Sequence, residues 1–219
     1  MYSYIVSPSF VHLVFSSFCH SCPFFDLLSA TLSLFLSLSL YKKINIHRSL
    51  SLCLLLKEVY KLAGLCFRFL LKADDDMWIN VPSLLNTVKR EESLLHTAVG
   101  GACRRSAEPI RNPRSKWYAS HKAYPQKTYP GFCSGTSYVT SLNVVRHVTS
   151  VSPDVPFFYL EDVYVSLCIQ KLGPPFRLLA LRGFFHGGAS PCILRSRTTI
   201  SVHQVKPRRL SDIWNAKCP

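Results

Sequence analysis

The sequence is poor in acidic residues. It contains 26 Lys and Arg but only 12 Asp and Glu in 219 residues, which gives a formal net charge of +14. Such a balance favours polyanionic partners, namely nucleic acid, anionic lipid or phosphorylated ligands. The basic residues are scattered in small groups, however, and no zinc-finger, homeodomain or RNA-recognition motif accompanies them. We therefore expect no nucleic-acid partner.

Paired metal-binding cysteines and glycosylation sequons are also lacking. The sequence has nine cysteines, but its one Cys-x-x-Cys motif, Cys19 with Cys22, has no second pair to complete a zinc site. An Asn-x-Ser/Thr sequon occurs nowhere, and there are no internal repeats. An odd number of cysteines leaves at least one thiol unpaired, and one or two disulfides fit a protein of the secretory pathway.

Residues 1–63 form a hydrophobic, Ser/Leu-rich segment that contains almost no acidic residues. Residues 27–41 are apolar and are followed by Lys42 and Lys43, which indicates a signal anchor, although a spanning helix needs about 20 apolar residues. The low-complexity run LSLFLSLSL is equally consistent with a sequence unrelated to the domain that follows. Both interpretations stay open.

Residues 64–219 have the composition of a folded α/β domain. Short apolar runs predict strands, and amphipathic segments with start and stop signals predict helices. The predicted strands cover 67–72, 99–103 and 199–207, and the predicted helices cover 82–90, 141–151, 161–173 and 208–216. The intervening stretch 111–141 is dense in proline and aromatic residues and is predicted to be mostly loop.

A quarter of all acidic residues stand together in LLKADDDMWINVP, as Asp74, Asp75 and Asp76. Adjacent carboxylates repel each other, so they either solvate a loop, cap the next segment or share a cation. Ligands gather at the carboxyl ends of strands in α/β sheets, which is where this triplet is predicted to lie. Mg²⁺ or Mn²⁺ would take such oxygen ligands and keep positions open for phosphate.

A second acidic pair, Glu161 and Asp162, opens the helix predicted from EDVYVSLCIQKLG. Negative charge at a helix N-terminus is stabilised by the helix dipole, so end-capping is one explanation. A carboxylate there also serves as a general base if it reaches a substrate hydroxyl.

Four segments carry a family resemblance, namely LLKADDDMWINVP, KWYASHKAYPQKTYPGFCSGTSYV, FFYLEDVYVSLCIQKLG and VHQVKPRRLSDIW. In this order and spacing they resemble the β1,3-galactosyltransferase and β1,3-N-acetylglucosaminyltransferase family, glycosyltransferase family 31, over about residues 65 to 219. The resemblance implies a nucleotide-sugar-binding, Rossmann-like fold of the A type. It also implies an N-terminally incomplete catalytic domain, because Ser/Leu-rich sequence stands where the family has its first nucleotide-binding strands.

The resemblance implies a Mn²⁺ site that holds the diphosphate of a UDP-sugar. On the family pattern the metal ligands are Asp76, Asp74 and His203. Lys72, Asp74 and Asp75 are expected to contact the donor.

The implied reaction is an inverting transfer of galactose or N-acetylglucosamine to the 3-hydroxyl of an acceptor glycan on a glycoprotein or glycolipid. Asp162 matches the region of the catalytic base, with Glu161 as the second candidate. The family also implies a single-pass type II protein of the Golgi membrane. The alternative is a truncated, inactive relative that acts at most as a binding protein.

Aromatic residues of the middle segment are the candidates for acceptor binding. Trp117 and Tyr118 are expected to contact the acceptor sugar, and Tyr124 and Tyr129 either stack on sugar faces or pack in the core.

Two further expectations come from the resemblance. Cys133 and Cys168 fall where the family often carries cysteines, which predicts a disulfide. Ser137 and Ser166 stand where glycine is usual, and serine at a position that needs a positive φ or a close approach to a ligand carries strain.

Overall fold

The computed structural model describes residues 12–16, 68–74 and 76–218. The predicted anchor over 27–41 and the central aspartate, Asp75, lie outside these residues. None of the helices in the described part of the chain is both long and apolar enough to cross a membrane.

Strands and helices are interspersed along the described chain, which confirms the predicted α/β class. The chain has two short 3₁₀ helices among its described residues, Ser152–Asp154 and Pro207–Arg209. In chain order the other elements are β1 (His12–Ser16), β2 (Phe69–Ala73), β3 (Trp78–Ile79), α1 (Val81–Arg90), α2 (Glu92–Leu95), β4 (Ala98–Arg104), β5 (Phe132–Ser141), α3 (Leu142–Val151), α4 (Glu161–Leu172), β6 (Arg177–Ala180), β7 (Phe184–Phe185), α5 (Pro191–Leu194), β8 (Ser201–Val202) and α6 (Leu210–Asn215).

A mixed five-stranded sheet, in the order β1-β2-β5-β4-β6, forms the centre of the fold. β2 and β4 both run antiparallel to β5, and β6 runs parallel to β4. The carboxyl ends of β2, β4 and β6 therefore meet the amino end of β5 at one edge of the sheet. A second, three-stranded sheet has the order β3-β8-β7. It continues from the same edge, because β3 follows β2 closely in the chain.

β2 is buried along its whole length, and its side chains alternate between two separate clusters of the hydrophobic core. Leu70 packs with residues of α3 and α4, including Val144 and Val163. Leu71 packs with residues of α1 and α2, including Leu84 and Leu95. Helices thus cover both faces of β2, as a continuous apolar strand requires.

Side-chain caps and a glycine mark the ends of three helices. The side chain of Asn80 accepts a hydrogen bond from the Ser83 N–H at the start of α1, and Ser141 Oγ accepts one from the Val144 N–H at the start of α3. α4 ends at Gly173, whose φ is 66°. Leu160, at the start of α4, provides no side-chain cap. The acidic pair lies in the first turn of α4, where negative charge interacts favourably with the helix dipole.

The predicted loop over 111–141 is wrong for its last ten residues, which form β5. FCSGTSYVTS lacks the apolar run of a buried strand, yet it lies between β2 and β4 and pairs with both. Its polar side chains bond to neighbouring backbone: Thr140 Oγ1 donates to the Ala98 carbonyl at 2.9 Å and Ser141 Oγ to the His96 carbonyl at 2.8 Å.

The predicted C-terminal strand is much shorter than 199–207. Only Ser201–Val202 pairs as β8, and the chain leaves the extended conformation at Gln204, whose φ is 63°. The predicted last helix is present as α6, after the 3₁₀ turn.

The sequence left the pairing of Cys133 and Cys168 open, and the structure has a disulfide at Cys133. Cys133 is bonded to Cys103, its register partner across β4 and β5, and Cys168 lies buried in α4. A second disulfide joins Cys192 to Cys218 and ties α5 to the chain that follows α6.

Neither Ser137 nor Ser166 lies at a position with a positive φ. Among the described residues Gln204 is the one non-glycine with a positive φ. Ser137 lies in β5, where its hydroxyl is 2.7 Å from that of Ser201 and links the two sheets. Ser166 lies in α4 and is buried, and its hydroxyl has no hydrogen-bond partner.

Candidate functional site

Lys72 lies at the centre of the candidate site. It belongs to buried β2 and is itself 6% exposed, so its ammonium group meets protein rather than water. The group donates to Asp74 Oδ1 at 2.6 Å and to the Gly135 carbonyl, and it lies 3.6 Å from Glu161 Oε2. Lys72, which the sequence analysis expects to contact the donor, is thus enclosed by two carboxylates and a carbonyl.

The charge of Lys72 is maintained by these neighbours. Burial lowers the pKa of its ammonium group, but the Glu161 and Asp74 carboxylates raise the pKa by more, so that it lies above the ordinary value of 10.5. Lys72 is therefore a permanent cation at neutral pH.

The structure brings the three predicted metal ligands together. One ligand atom each from Asp74, Asp76 and His203 lies within 4.8 Å of the others, and His203 Nε2 is 3.0 Å from Asp76 Oδ1. Asp74 follows β2 directly, whereas His203 follows β8, so the cluster forms where the two sheets meet.

Backbone hydrogen bonds hold this cluster in place. The Asp74 N–H donates to the Thr136 carbonyl at 2.9 Å, and the Asp76 carbonyl accepts from the Val205 N–H at 2.9 Å. The His203 N–H donates to the Phe185 carbonyl at 3.0 Å. Each ligand is thus fixed by a different strand or loop, which sets their separation before any ion binds.

Two carboxylates and one imidazole are a donor set that fits a divalent cation. Carboxylates suit Mg²⁺ and Mn²⁺, and imidazole is a ligand of transition metals. The side chains of Asp74 and Asp76 are 42% and 45% exposed, so an ion there keeps open positions toward solvent. Such positions are where phosphate oxygens bind.

The carboxylate of Asp162 lies at the start of α4 and receives two backbone hydrogen bonds. The Gly135 N–H donates to Oδ2 at 3.1 Å and the Val163 N–H to Oδ1 at 2.9 Å. Burial raises the pKa of Asp162, and these two N–H groups oppose the rise. A carboxylate that is oriented and has a raised pKa is suited to accept a proton.

Glu161 also has both carboxylate oxygens close to protein groups. Tyr138 donates its hydroxyl hydrogen to Glu161 Oε1 at 2.5 Å, and Lys72 lies beside Oε2. Burial raises the pKa of Glu161, and the attraction of Lys72 and the Tyr138 hydrogen bond oppose the rise. Because both oxygens face protein groups, Glu161 is suited to a structural role in the site.

Gly135 is a component of the site that the sequence analysis did not identify. A Cβ at this position would stand 3.2 Å from Glu161 Oε2 and 3.4 Å from Asp162 Oδ2, so glycine lets β5 pass close to the acidic pair. Its N–H bonds to Asp162 and its carbonyl to Lys72. The sequence shows a glycine in CSGTSYV, but only the fold shows that it lies beside Glu161 and Asp162.

The aromatic residues divide into two groups. Trp117 is 52% exposed and lies under Lys116, whose Nζ is 4.3 Å from the ring centroid, and Tyr118 is half-buried beside it in the chain. Tyr124 and Tyr129 are buried and pack against each other and against Phe158. These two therefore pack in the core, as one of the two interpretations expected.

The Tyr129 hydroxyl is buried without a hydrogen-bond partner. Burial and the neighbouring Tyr159 raise the pKa of Tyr129 to about 12. It is thus a neutral group at physiological pH.

Comparisons with known proteins identify the family of the chain. Residues 48–176 match the family model described as galactosyltransferase. Beta-1,3-galactosyltransferase 5 of Homo sapiens is 40% identical over 151 residues, which are 68% of this chain and 48% of that protein. The corresponding protein of Gorilla gorilla gorilla is 40% identical over 151 residues, 68% of this chain and 50% of that protein.

Beta-1,3-galactosyltransferase 1 of Mus musculus is 36% identical over 155 residues, 68% of this chain and 45% of that protein. The chain thus spans about half the length of the curated relatives it matches. His203 lies beyond the residues that match the family model, and it reaches the acidic cluster through the fold. With more than half of its residues matched, this chain belongs to the galactosyltransferase family.

Proposed function

We propose that the chain transfers galactose from UDP-galactose to the 3-hydroxyl of an acceptor glycan, with inversion at the anomeric carbon. The observation that carries the proposal is the pairing, at one sheet edge, of a cation cluster (Asp74, Asp76 and His203) with an oriented carboxylate, Asp162. The names of the relatives favour galactose over N-acetylglucosamine.

The three ligands would hold Mn²⁺, for which their donor atoms and mutual distances are suitable. Bound there, the ion supplies Lewis-acid stabilisation of the charge on the departing UDP. The scattered basic charge of the chain is also compatible with a diphosphate ligand.

The chain's own part in the reaction is to remove a proton and to align two substrates. As the acceptor oxygen forms its bond to the anomeric carbon, the bond from that carbon to the UDP oxygen breaks, and the electron pair leaves with UDP. The acceptor proton passes to the Asp162 carboxylate, whose oxygens keep lone pairs beyond those used by Gly135 and Val163. Alignment provides much of the rate.

We further propose that the fold is the Rossmann-like A type of nucleotide-sugar-dependent glycosyltransferases. Three strands of the main sheet, β2, β4 and β6, run in one direction, and the acidic cluster follows the first of them. This is the placement expected for a nucleotide ligand in an α/β sheet. Exposed Trp117 and half-buried Tyr118 are then the candidates to contact the acceptor sugar.

The proposed location is the Golgi membrane, with a type II anchor and glycoprotein or glycolipid acceptors. The disulfides Cys103–Cys133 and Cys192–Cys218 support an oxidising compartment.

A donor panel tests the activity. The full chain is incubated with Mn²⁺ and UDP-galactose, UDP-N-acetylglucosamine or UDP-N-acetylgalactosamine, and UDP release is measured with and without simple sugar acceptors. We expect acceptor-dependent release from UDP-galactose that is lost with a chelator and falls at least 100-fold in Asp76→Ala, since Asp76 is a proposed metal ligand.

Asp212→Ala is the matched control, because Asp212 is an exposed aspartate on α6, and it is expected to keep full activity. Turnover that survives Asp76→Ala would contradict the metal assignment. UDP binding without any turnover would instead favour the alternative of an inactive relative that binds its ligand.

A further inference from the structure

Lys72 connects the two halves of the proposed site. On one side its ammonium group bonds Asp74 of the cation cluster at 2.6 Å. On the other it bonds the carbonyl of Gly135, whose N–H in turn bonds Asp162 Oδ2 at 3.1 Å. Three hydrogen bonds, joined by the Lys72 ammonium group and the backbone of Gly135, therefore connect the cation cluster to the carboxylate that accepts the proton.

Glu161 provides a second connection. Its Oε2 lies 3.6 Å from Lys72 Nζ, and its Oε1 is fixed by the Tyr138 hydroxyl at 2.5 Å. Glu161 immediately precedes Asp162 in the first turn of α4. The position of this turn relative to β2 is thus set at the Lys72 ammonium group.

We propose that Lys72 is a positioning residue, which holds the metal-binding carboxylate of Asp74 and the base Asp162 in one frame through Gly135 and Glu161. This inference rests on the proposed function. It differs from direct contact with the donor, because Lys72 has only 8% of its side chain exposed and its ammonium group is surrounded by these partners.

The transfer reaction requires the cation cluster and Asp162 to be held at a fixed distance, which the connection through Lys72 would provide. The donor is held at the cation cluster and the acceptor is deprotonated at Asp162, so the rate depends on the distance between two separately bound groups. A misplacement of about 1 Å costs on the order of 100-fold in rate even where each substrate still binds. Loss of Lys72 is therefore expected to lower kcat while leaving the affinities nearly unchanged.

The experiment compares wild type with Lys72→Met, Lys72→Arg, Glu161→Gln and the Lys72→Met/Glu161→Gln double variant. Lys89→Met is the matched control, because Lys89 is exposed at the end of α1. For each protein we measure kcat, the donor KM, the dissociation constant of Mn²⁺ by titration, and the Tm.

We expect kcat of Lys72→Met to fall about 100-fold, with the donor KM and the Mn²⁺ dissociation constant within about threefold of wild type. Lys72→Arg keeps the charge but not the geometry and is expected to stay at least tenfold below wild type. The double variant removes both buried charges, so it is expected to recover the Tm yet stay about tenfold below Glu161→Gln in kcat.

Three results would overturn the proposal. Full activity in Lys72→Arg would mean that charge alone matters. Equal kcat in the double variant and Glu161→Gln would mean that Lys72 only neutralises Glu161. A Mn²⁺ dissociation constant that rises in step with the loss of kcat would place Lys72 in metal affinity rather than alignment.

A measurement without turnover separates this inference from the proposed function. The amide signal of Gly135 is followed by NMR during titration with Mg²⁺, a diamagnetic probe. We expect it to shift on cation binding in wild type and to shift by less than half as much in Lys72→Met. An equal shift in both proteins would refute the positioning role while leaving the proposed function intact. A wild-type chain that binds neither Mg²⁺ nor Mn²⁺ would refute both.

Discussion

The site has two acidic groups at the same edge of the sheet, Asp74 with Asp76 and Glu161 with Asp162, and they differ in their exposure to solvent. The side chains of Asp74 and Asp76 are 42% and 45% exposed, whereas that of Glu161 is 16% exposed. The first group faces solvent and has an imidazole beside it. The second group is surrounded by donors that belong to the protein itself, among them Tyr138 and the Gly135 N–H.

This difference in exposure suits the first group to binding a cation and the second to accepting a proton. Exposed carboxylates lose little hydration, so they remain available to a cation from solution. Buried carboxylates lose hydration, which raises their pKa, and they stay charged only where hydrogen bonds and an opposite charge compensate. Lys72 contacts both groups and is the buried cation that their arrangement requires.

The largest effect is expected within the acidic pair Glu161 and Asp162, where the two carboxylates are proposed to have different roles. Asp162→Asn removes the proposed proton acceptor but keeps the shape of the side chain, so we expect kcat to fall about 1000-fold, equivalent to about 4 kcal/mol. Glu161→Gln is expected to lose much less, because the Glu161 oxygens face Tyr138 and Lys72. Steady-state kinetics with the donor and acceptor measure both.

Asp154→Asn, a change of an exposed aspartate in the 3₁₀ helix before α4, is the control and should have no effect. If Glu161→Gln loses as much as Asp162→Asn or more, the two roles are reversed.

The sequence was sufficient for the elements whose signals are local. Helix α4 has acidic residues at its start and Gly173 at its end, and the structure has it as predicted. β5 could not be predicted, because serine, threonine and glycine in a strand are stabilised by pairing on both sides, which is a property of the sheet. The partner of Cys133 could not be predicted for the same reason, since its pairing with Cys103 follows from the register of β4 with β5.

The site was predictable in its residue types but not in its connections. The resemblance pointed to Asp74, Asp76 and His203, and the structure places them together although 127 residues separate Asp76 from His203 in sequence numbering. The role of Gly135 and the burial of Lys72 depend on how β5 passes α4. Such contacts are not encoded in any local pattern.

The exposed group is tested through its affinity for metal rather than through folding. His203→Ala removes one of three ligands, so we expect the dissociation constant of Mn²⁺ to rise about 10- to 100-fold. The Tm without metal should change little, because the His203 side chain lies beside exposed Asp76 rather than in the core. Titration of Mn²⁺ against the metal-free protein measures the change.

His121→Ala is the control, because His121 is an exposed histidine in the long segment before β5. Unchanged Mn²⁺ affinity in His203→Ala would remove the histidine from the metal site and leave the two aspartates as its protein ligands.

The smallest expected effect concerns the buried group and pH. Since the pKa of Glu161 is raised by burial, the folded state binds its proton more tightly than the unfolded state does. Its contribution to stability is therefore greatest below the unfolded value, 4.5, and is lost as pH rises through the folded pKa. The size of the loss depends on how far the folded pKa of Glu161 lies above the unfolded one.

Urea unfolding of the metal-free protein between pH 4 and pH 7 measures this contribution, with Glu161→Gln as the variant that cannot titrate there. We expect the free energy of unfolding of wild type, relative to that of the variant, to decrease as pH rises. A difference that increases instead would mean that Lys72 and Tyr138 outweigh the burial of Glu161. The buried carboxylate would then be stabilised in its charged form, and the contrast with the exposed aspartates would lie in access to the cation alone.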